Sequence, residues 1–142
     1  MARRWGLSIG SFVLAVFFGG TSLSAGNVGS GVALFLFFAV LAMLVSPRAF
    51  PRSVTDAEAR ARSAEDGRAI VYWRPGCPFC VRLRASLGRR ADRLHWVDIW
   101  ADPAGAASVR AVADGNETVP TVITAGAAMV NPQPEVVRAL AA

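Results

Sequence analysis

The chain has 142 residues, of which 54% are hydrophobic and 18% charged, a balance too apolar for one water-soluble domain to account for all of it. The formal charge of +5 does not mark a nucleic-acid binder, because residues 1–52 hold four arginines and no acid, leaving 53–142 with eleven arginines and ten acids. The surplus basicity is therefore N-terminal, where it orients a membrane segment and meets anionic lipid.

Between Arg4 and Arg48 there are 43 consecutive uncharged residues. Within them, 7–23 and 28–45 are apolar runs separated by Ser24-Ala25-Gly26-Asn27. As a helix each run would reach roughly 26 Å, close to the ~30 Å of a hydrocarbon core. The pattern predicts a transmembrane helical hairpin over residues 1–50. A cleaved signal peptide also fits the first run, with Arg3 and Arg4 ahead of it and small residues at Ser22 and Ser24, but it leaves the second run without a purpose. Uninterrupted apolarity without a polar face argues against a soluble helix pair. Arg3 and Arg4 flank one end, Arg48 and Arg52 the other, and the turn is uncharged. The positive-inside rule then puts both termini in the cytoplasm.

Composition changes after Pro47 and Pro51, and residues 51–67 read as a linker. Thr55-Asp56-Ala57-Glu58 has capping-box spacing and Glu58 faces Arg62 at i,i+4, which predicts a short helix over 55–66. Its apolar face is only alanine, so it reads as a spacer resting on the domain or the membrane surface.

From Arg68 onward strands and helices alternate, and 68–142 read as one domain. Residues 69–73 form a β-prone run ended by Pro75-Gly76. A helix is predicted over 78–90, with Cys80, Leu83 and Leu87 on one face. A strand follows over 94–100, then an alanine-rich helix over 103–113 stopped by Asp114-Gly115-Asn116. Residues 121–124 and 128–130 read as a hairpin, and 134–140 as a terminal helix with Glu135 in its first turn. The order is βαβαββα.

Cys77 and Cys80 are the only cysteines. Pro78 suits the first position of a helix, which puts Cys77 at the N-cap. Free backbone amides and the helix dipole there favour a thiolate, and Arg74 adds a positive charge. Cys80, one turn on, is more buried and close enough to form a disulfide. One cysteine attacks and the other resolves. Three duller readings compete. A structural disulfide closing so small a ring constrains the unfolded chain little and would stay reduced in a cytoplasm. A zinc site lacks ligands, since only His95 is added to the pair unless two chains share the metal. Covalent haem needs a histidine where Val81 stands. His95 itself reads as a partly buried structural residue. Trp73 and Phe79 could form an apolar rim for partner proteins, although Trp73 reads equally as core.

Arg74-Pro75-Gly76-Cys77-Pro78-Phe79-Cys80 resembles the active-site motif of the glutaredoxin family, with arginine where lysine is common and phenylalanine where tyrosine is common. Thr118-Val119-Pro120 resembles that family's thiol-facing loop, whose proline is cis. The resemblance implies a thioredoxin-like α/β fold and a thiol-binding set of Arg74, Pro78, Phe79, Thr118, Val119 and Pro120 around catalytic Cys77 and Cys80, with no metal. It would set the backbone of Val119 beside Cys77, to pair with an extended thiol peptide. The stretch from Gly115 to Val122, followed by Asn131-Pro132, is similar to mycoredoxins, actinobacterial glutaredoxin-like proteins that use mycothiol. Glutathione-using relatives commonly carry a Gly-Gly and an acidic pair after the third strand, both missing between Gly126 and Gln133. The membrane hairpin has no counterpart in the small soluble members.

These readings lead to one expectation: a multi-pass protein of the cell membrane whose cytoplasmic redox domain, with no bound cofactor, reduces mixed disulfides between proteins and a low-molecular-weight thiol, mycothiol ahead of glutathione. Its partners are protein disulfides, that thiol and the lipid bilayer, not nucleic acid. One rival is a thioredoxin-like dithiol carrier recharged by a flavoprotein reductase. Another is a module binding a metal or iron–sulfur cluster through shared cysteines. A third turns the domain outward, if only one run spans the membrane.

Overall fold

The computed structural model describes residues 2–44, 46 and 49–141, with side chains from Trp5 onward. The side chains of Arg3 and Arg4, Val45 at the end of the second apolar run, Pro47 and Arg48 lie outside the described residues. The chain divides into two compact units, Met1–Ala49 and Phe50–Ala142.

The first unit is a pair of helices, α1 (Ala2–Ser24) and α2 (Val28–Leu44). The carbonyls of Ser22 and Leu23 accept the N–H groups of Asn27 and Gly26, each at 3.0 Å, and close α1. Gly26 supplies the positive φ of +80° that this closure requires. The helices touch most closely at Gly31, where an added Cβ would lie 2.8 Å from Leu23 Cγ and 3.1 Å from the Gly19 carbonyl oxygen. Phe18 stacks on Phe38 across the pair. Most of the remaining apolar surface faces outward, with Phe17 60%, Phe37 63% and Met43 71% exposed. Water tolerates so large an apolar surface poorly, whereas lipid does not oppose it. Trp5–Ser24 is long and apolar enough to cross a membrane; Val28–Leu44 is apolar but shorter.

The second unit contains α3 (Asp56–Asp66), β1 (Ile70–Trp73), α4 (Pro78–Leu87), a 3-10 segment (Gly88–Arg93), β2 (His95–Asp98), α5 (Pro103–Val112), β3 (Thr121–Ile123), β4 (Ala128–Val130) and α6 (Pro134–Leu140). The strands form one mixed sheet in the order β2-β1-β3-β4. β1 and β2 are parallel, joined through α4, while β3 is antiparallel to β1 and pairs with β4 as a hairpin, Thr121 opposite Val130. A mixed four-stranded sheet with helices packed around it fits a thioredoxin-like α/β fold. The core is made by the buried runs of β1 and β2, among them Val71, Tyr72, Trp73, Trp96 and Val97, with Leu83, Val109, Val122 and Val137. Gly105 lets α5 approach the sheet: a Cβ there would lie 2.6 Å from Val97 Cγ1.

Several expected boundaries move inward, those of 69–73, 103–113 and 121–124 by one residue each, and three others for a visible reason. The helix expected over 78–90 stops at Leu87, because Gly88 takes φ +54° and the next turn is 3-10. The strand expected over 94–100 covers only His95–Asp98, since the Asp98 carboxylate accepts the Trp100 N–H at 2.9 Å and turns the chain. Thr55 is the N-cap of α3, its hydroxyl accepting the Glu58 N–H at 3.3 Å.

Of the two surfaces on which 55–66 is expected to rest, α3 is bonded to the domain, within the second unit. Ala59 is fully buried. The Asp56 carboxylate accepts the Tyr72 hydroxyl at 2.6 Å and Arg60 Nε at 2.9 Å, and the Asp56 N–H donates to Asp102 Oδ2 at 2.5 Å. The chain before it is held too: Phe50 stacks on Trp73 with ring centroids 3.8 Å apart, Ser53 Oγ accepts the Trp73 indole N–H at 2.9 Å, and Ser53 bridges Trp96 beside β2. The alanine face concealed this because the main binding groups are polar and sit on Asp56, the first residue of the helix.

Candidate active site

Cys77 caps the N-terminus of α4 with extended backbone angles (φ −81°, ψ 115°), and Pro78 occupies the first turn. Proline suits that position because its missing N–H would have had no partner there. The Cys80 N–H points back at the Cys77 sulfur, 3.4 Å away. Both thiols are free; Cys77 is 6% exposed and Cys80 fully buried.

The protonation states of the two sulfurs separate strongly. A hydrogen bond from the Cys80 thiol is the largest influence on Cys77. Burial opposes it, but the N–H groups of Cys80 and Phe79 and the charge of Arg74 add to it, and the Cys77 pKa falls to about 6. For Cys80 the same hydrogen bond, burial and the neighbouring charge all act upward, so it keeps its proton. At pH 7 a group with that pKa is roughly nine parts in ten thiolate. The sulfur at the helix start is thus the more acidic of the two, and the hydrogen bond from its neighbour's thiol is the main reason, ahead of the backbone amides.

Opposite the helix start runs the loop before β3. Val119–Pro120 is a cis peptide bond, and the Val119 carbonyl oxygen lies 3.4 Å from Cys77 Sγ, where it accepts the thiol proton when the cysteine is protonated. The Thr121 hydroxyl donates to the Thr118 carbonyl at 2.8 Å and the Asn131 N–H to the Pro120 carbonyl at 2.8 Å, fixing the loop from both sides. Val119 and Pro120 are buried, whereas Thr118, Pro78 and Phe79 are exposed, Phe79 by 54%. Arg74 is half-buried with its guanidinium over the Trp100 ring, 5.8 Å from the centroid, an arrangement that steadies a cation beside an aromatic face.

Of the residues expected at the site, the structure brings Cys77, Cys80 and Val119 into direct contact, and Phe79 and Pro120 onto one cleft beside them. Trp73 is fully buried against Phe50 and forms no rim. His95 bonds Asp66 at 3.0 Å and pairs with Ile70, at the end of β1 away from the cysteine loop. Among the described residues no three His, Cys, Asp or Glu side chains are grouped to hold a metal.

Sequence reasoning missed part of the surroundings. Arg82, Leu83, Asn131, Pro132, Gln133 and Pro134 join Phe79 and Pro120 around a cleft of about 80 Å³, room for two or three waters and hence for one group of a ligand. Arg82 lies off the helix face formed by Cys80, Leu83 and Leu87, and nothing in the spacing of Asn131 and Gln133 brings them to α4. Trp100 as a support for Arg74 was likewise not visible.

A buried Cys-x-x-Cys pair at a helix start, on a thioredoxin-like sheet, has the chemistry that thiol–disulfide exchange requires. Residues 69–128 match the family model of glutaredoxin, less than half of the chain but all of the segment from β1 into β4. That match supports a glutaredoxin domain and a thiol–disulfide oxidoreductase role for it, acting, as glutaredoxins generally do, on protein disulfides with a low-molecular-weight thiol. Comparison with curated proteins finds no match, and comparison with solved structures finds none.

Proposed function

We propose that the chain is a membrane-anchored, glutaredoxin-like oxidoreductase that removes a low-molecular-weight thiol from protein mixed disulfides, with its redox domain in the cytoplasm. The observation that carries this reading is the Cys77 sulfur at the start of α4, 3.4 Å from the Cys80 N–H, with the Cys80 thiol buried one turn behind it. The Cys77 thiolate attacks the small thiol's sulfur in the mixed disulfide. The S–S bond breaks, the protein thiolate leaves and takes a proton from water, and Cys77 is left disulfide-bonded to the small thiol. A second molecule of that thiol then attacks as thiolate, leaving as the symmetric disulfide and returning Cys77. Alternatively Cys80 loses its proton and displaces the small thiol, giving a Cys77–Cys80 disulfide that two further thiols reduce.

Arg74 and the backbone of Val119 would hold the polar part of the small thiol, with Thr118, Pro120, Pro78 and Phe79 shaping the groove. The neighbouring cleft offers Arg82, Asn131 and Gln133 as donors and acceptors suited to hydroxyl or carboxyl groups. The absence of the Gly-Gly and acidic pair favours mycothiol over glutathione as the co-substrate, with no cofactor bound. The apolar hairpin supports anchoring in the cell membrane, with two spans and both termini cytoplasmic.

Turnover of the purified full-length chain on a protein–mycothiol mixed disulfide tests the reading. Cys77→Ser should abolish activity and Cys80→Ser should retain it. Loss of activity in Cys80→Ser points instead to a dithiol carrier recharged by a flavoprotein. Labelling Cys77 in intact cells with a membrane-impermeant thiol reagent tests the orientation; reaction there would place the domain outside.

A further inference from the structure

We infer that the end of the redox domain formed by the C-terminus of α4, the Gly88–Arg93 segment and α6 is a docking face for the phosphate groups of an anionic bilayer. The inference rests on the membrane-anchored reading above. Of the twelve arginines from Arg52 to Arg138, four are paired with a carboxylate; of the eight that are not, among the described residues, five stand at this end, the others being Arg52, Arg74 and Arg82. Arg60, Arg62, Arg68 and Arg110 are each paired with a carboxylate, on Asp56, Glu58, Asp66 and Glu117 respectively. Arg84, Arg89, Arg90, Arg93 and Arg138 are not, among the described residues, although Asp92 and Glu135 stand on the same elements.

Main-chain carbonyls gather three of these arginines into one place. Arg84 donates to the Gly88 carbonyl at 2.9 Å, Arg93 to the Ala141 carbonyl at 3.3 Å, and Arg138 to the Ser86 carbonyl. Arg89 and Arg90 stand exposed on the segment between them. A guanidinium carries five donors and matches phosphate in a two-pronged fashion. Five such groups beside two acids therefore present many unused donors to a polyanion.

The bilayer is the occupant the chain itself supplies. Only residues 45–49 separate the end of α2 from Phe50, the first residue of the second unit. Fully extended they span no more than about 18 Å, so an anchored domain stays at high effective concentration near the headgroups. Each arginine near an anionic leaflet favours association by roughly fivefold. Cys77 begins the ten-residue α4, about 15 Å from its basic end, so this docking would hold the reactive sulfur away from the lipid and open to proteins.

Amide hydrogen exchange of the full-length chain tests the inference, in bilayer discs of phosphatidylcholine alone and of phosphatidylcholine with phosphatidylglycerol. Exchange over Gly88–Arg93 and Pro134–Leu140 should be several-fold slower in the anionic discs. High salt should restore it, as should the double variant Arg89→Gln, Arg90→Gln, which removes two exposed groups with no internal partner. Equal exchange in both lipids, or slowing that survives the double variant, overturns the inference; so does slowing that appears only when an acidic protein is added. Alkaline carbonate extraction from vesicles examines the anchor separately. Release of the chain there sinks the anchored reading and this inference with it, whereas retention with lipid-indifferent exchange sinks the docking face alone.

Discussion

The amide of Cys80 points at the sulfur of Cys77 across 3.4 Å, and the thiol of the same residue is the strongest influence holding that sulfur as an anion. The alkylation rate of Cys77 should therefore titrate near pH 6. Cys80→Ala removes the thiol donor while keeping the amide, so the midpoint should move upward toward the ordinary thiol value of about 8.5. The linkage to stability has opposite signs at the two sulfurs. The lowered pKa of Cys77 contributes stability that is present above about 8.5 and lost as pH falls through about 6. The raised pKa of Cys80 contributes stability that is present below about 8.5 and lost as pH rises beyond it. Thermal unfolding of the reduced protein should show a maximum near pH 8, and a stability flat from pH 5 to 9 would contradict the assigned protonation states.

Arg82 and Asn131 line the cleft next to Phe79 and Pro120 without touching either sulfur. If the cleft receives the polar end of the small thiol, Arg82→Ala removes a charged hydrogen bond and should raise the KM for that thiol roughly tenfold. The alkylation midpoint of Cys77 should stay where it is. A variant that instead shifts the midpoint and leaves KM alone would show that Arg82 acts on the sulfur electrostatically and not on the ligand.

The element order of the redox domain was legible because each piece carries a local signal. Four consecutive β-prone residues precede Pro75-Gly76, Pro78 opens α4, and Asp114-Gly115-Asn116 follows α5. The cysteine geometry was legible for the same reason, since an N-cap and the residue three positions on must face each other in any helix. The stretch Phe50 to Ser53 was not, because what holds it is a stacked tryptophan twenty residues or more away in sequence. Asp56 was read only as part of a capping box, although its carboxylate meets a tyrosine on β1. The cleft joins α4 to the segment after β4, and no periodicity within either predicts that meeting.

Tyr72 and Asp56 provide the test of α3 as part of the fold. Burial pushes the Asp56 carboxyl up, but hydrogen bonds from Tyr72 and Arg60 outweigh it and leave the pKa below the usual range. Tyr72→Phe leaves a buried carboxylate short of one donor, at a cost of about 1–3 kcal/mol. For a domain of this size that lowers Tm by roughly 5–15 °C. The contribution of Asp56 is present above its unfolded pKa of about 3.9 and lost as pH falls through the lower folded value, so wild type and Tyr72→Phe should converge in strong acid. Thermal scans at pH 7 and in strong acid check both parts, and an unchanged Tm at pH 7 would show that α3 only rests on the domain.

Phe50 is 7% exposed and lies parallel to Trp73, with Trp96 at its edge 5.8 Å away. Trp73 ends β1 immediately before the active-site loop, so the ring that covers it supports the strand from which Arg74 and Cys77 project. Phe50→Ala should cost about 3 kcal/mol, the low end for an aromatic truncated at a buried site, and Phe50→Leu should cost less because it fills most of the volume. Neither change removes a donor to Cys77, so the alkylation midpoint should remain near pH 6 while the folded protein persists. Thermal unfolding of the two variants alongside that titration separates the effects. If Phe50→Ala unfolds at the wild-type temperature, the segment before α3 contributes nothing to the domain, and the stack on Trp73 is only a resting place for the linker.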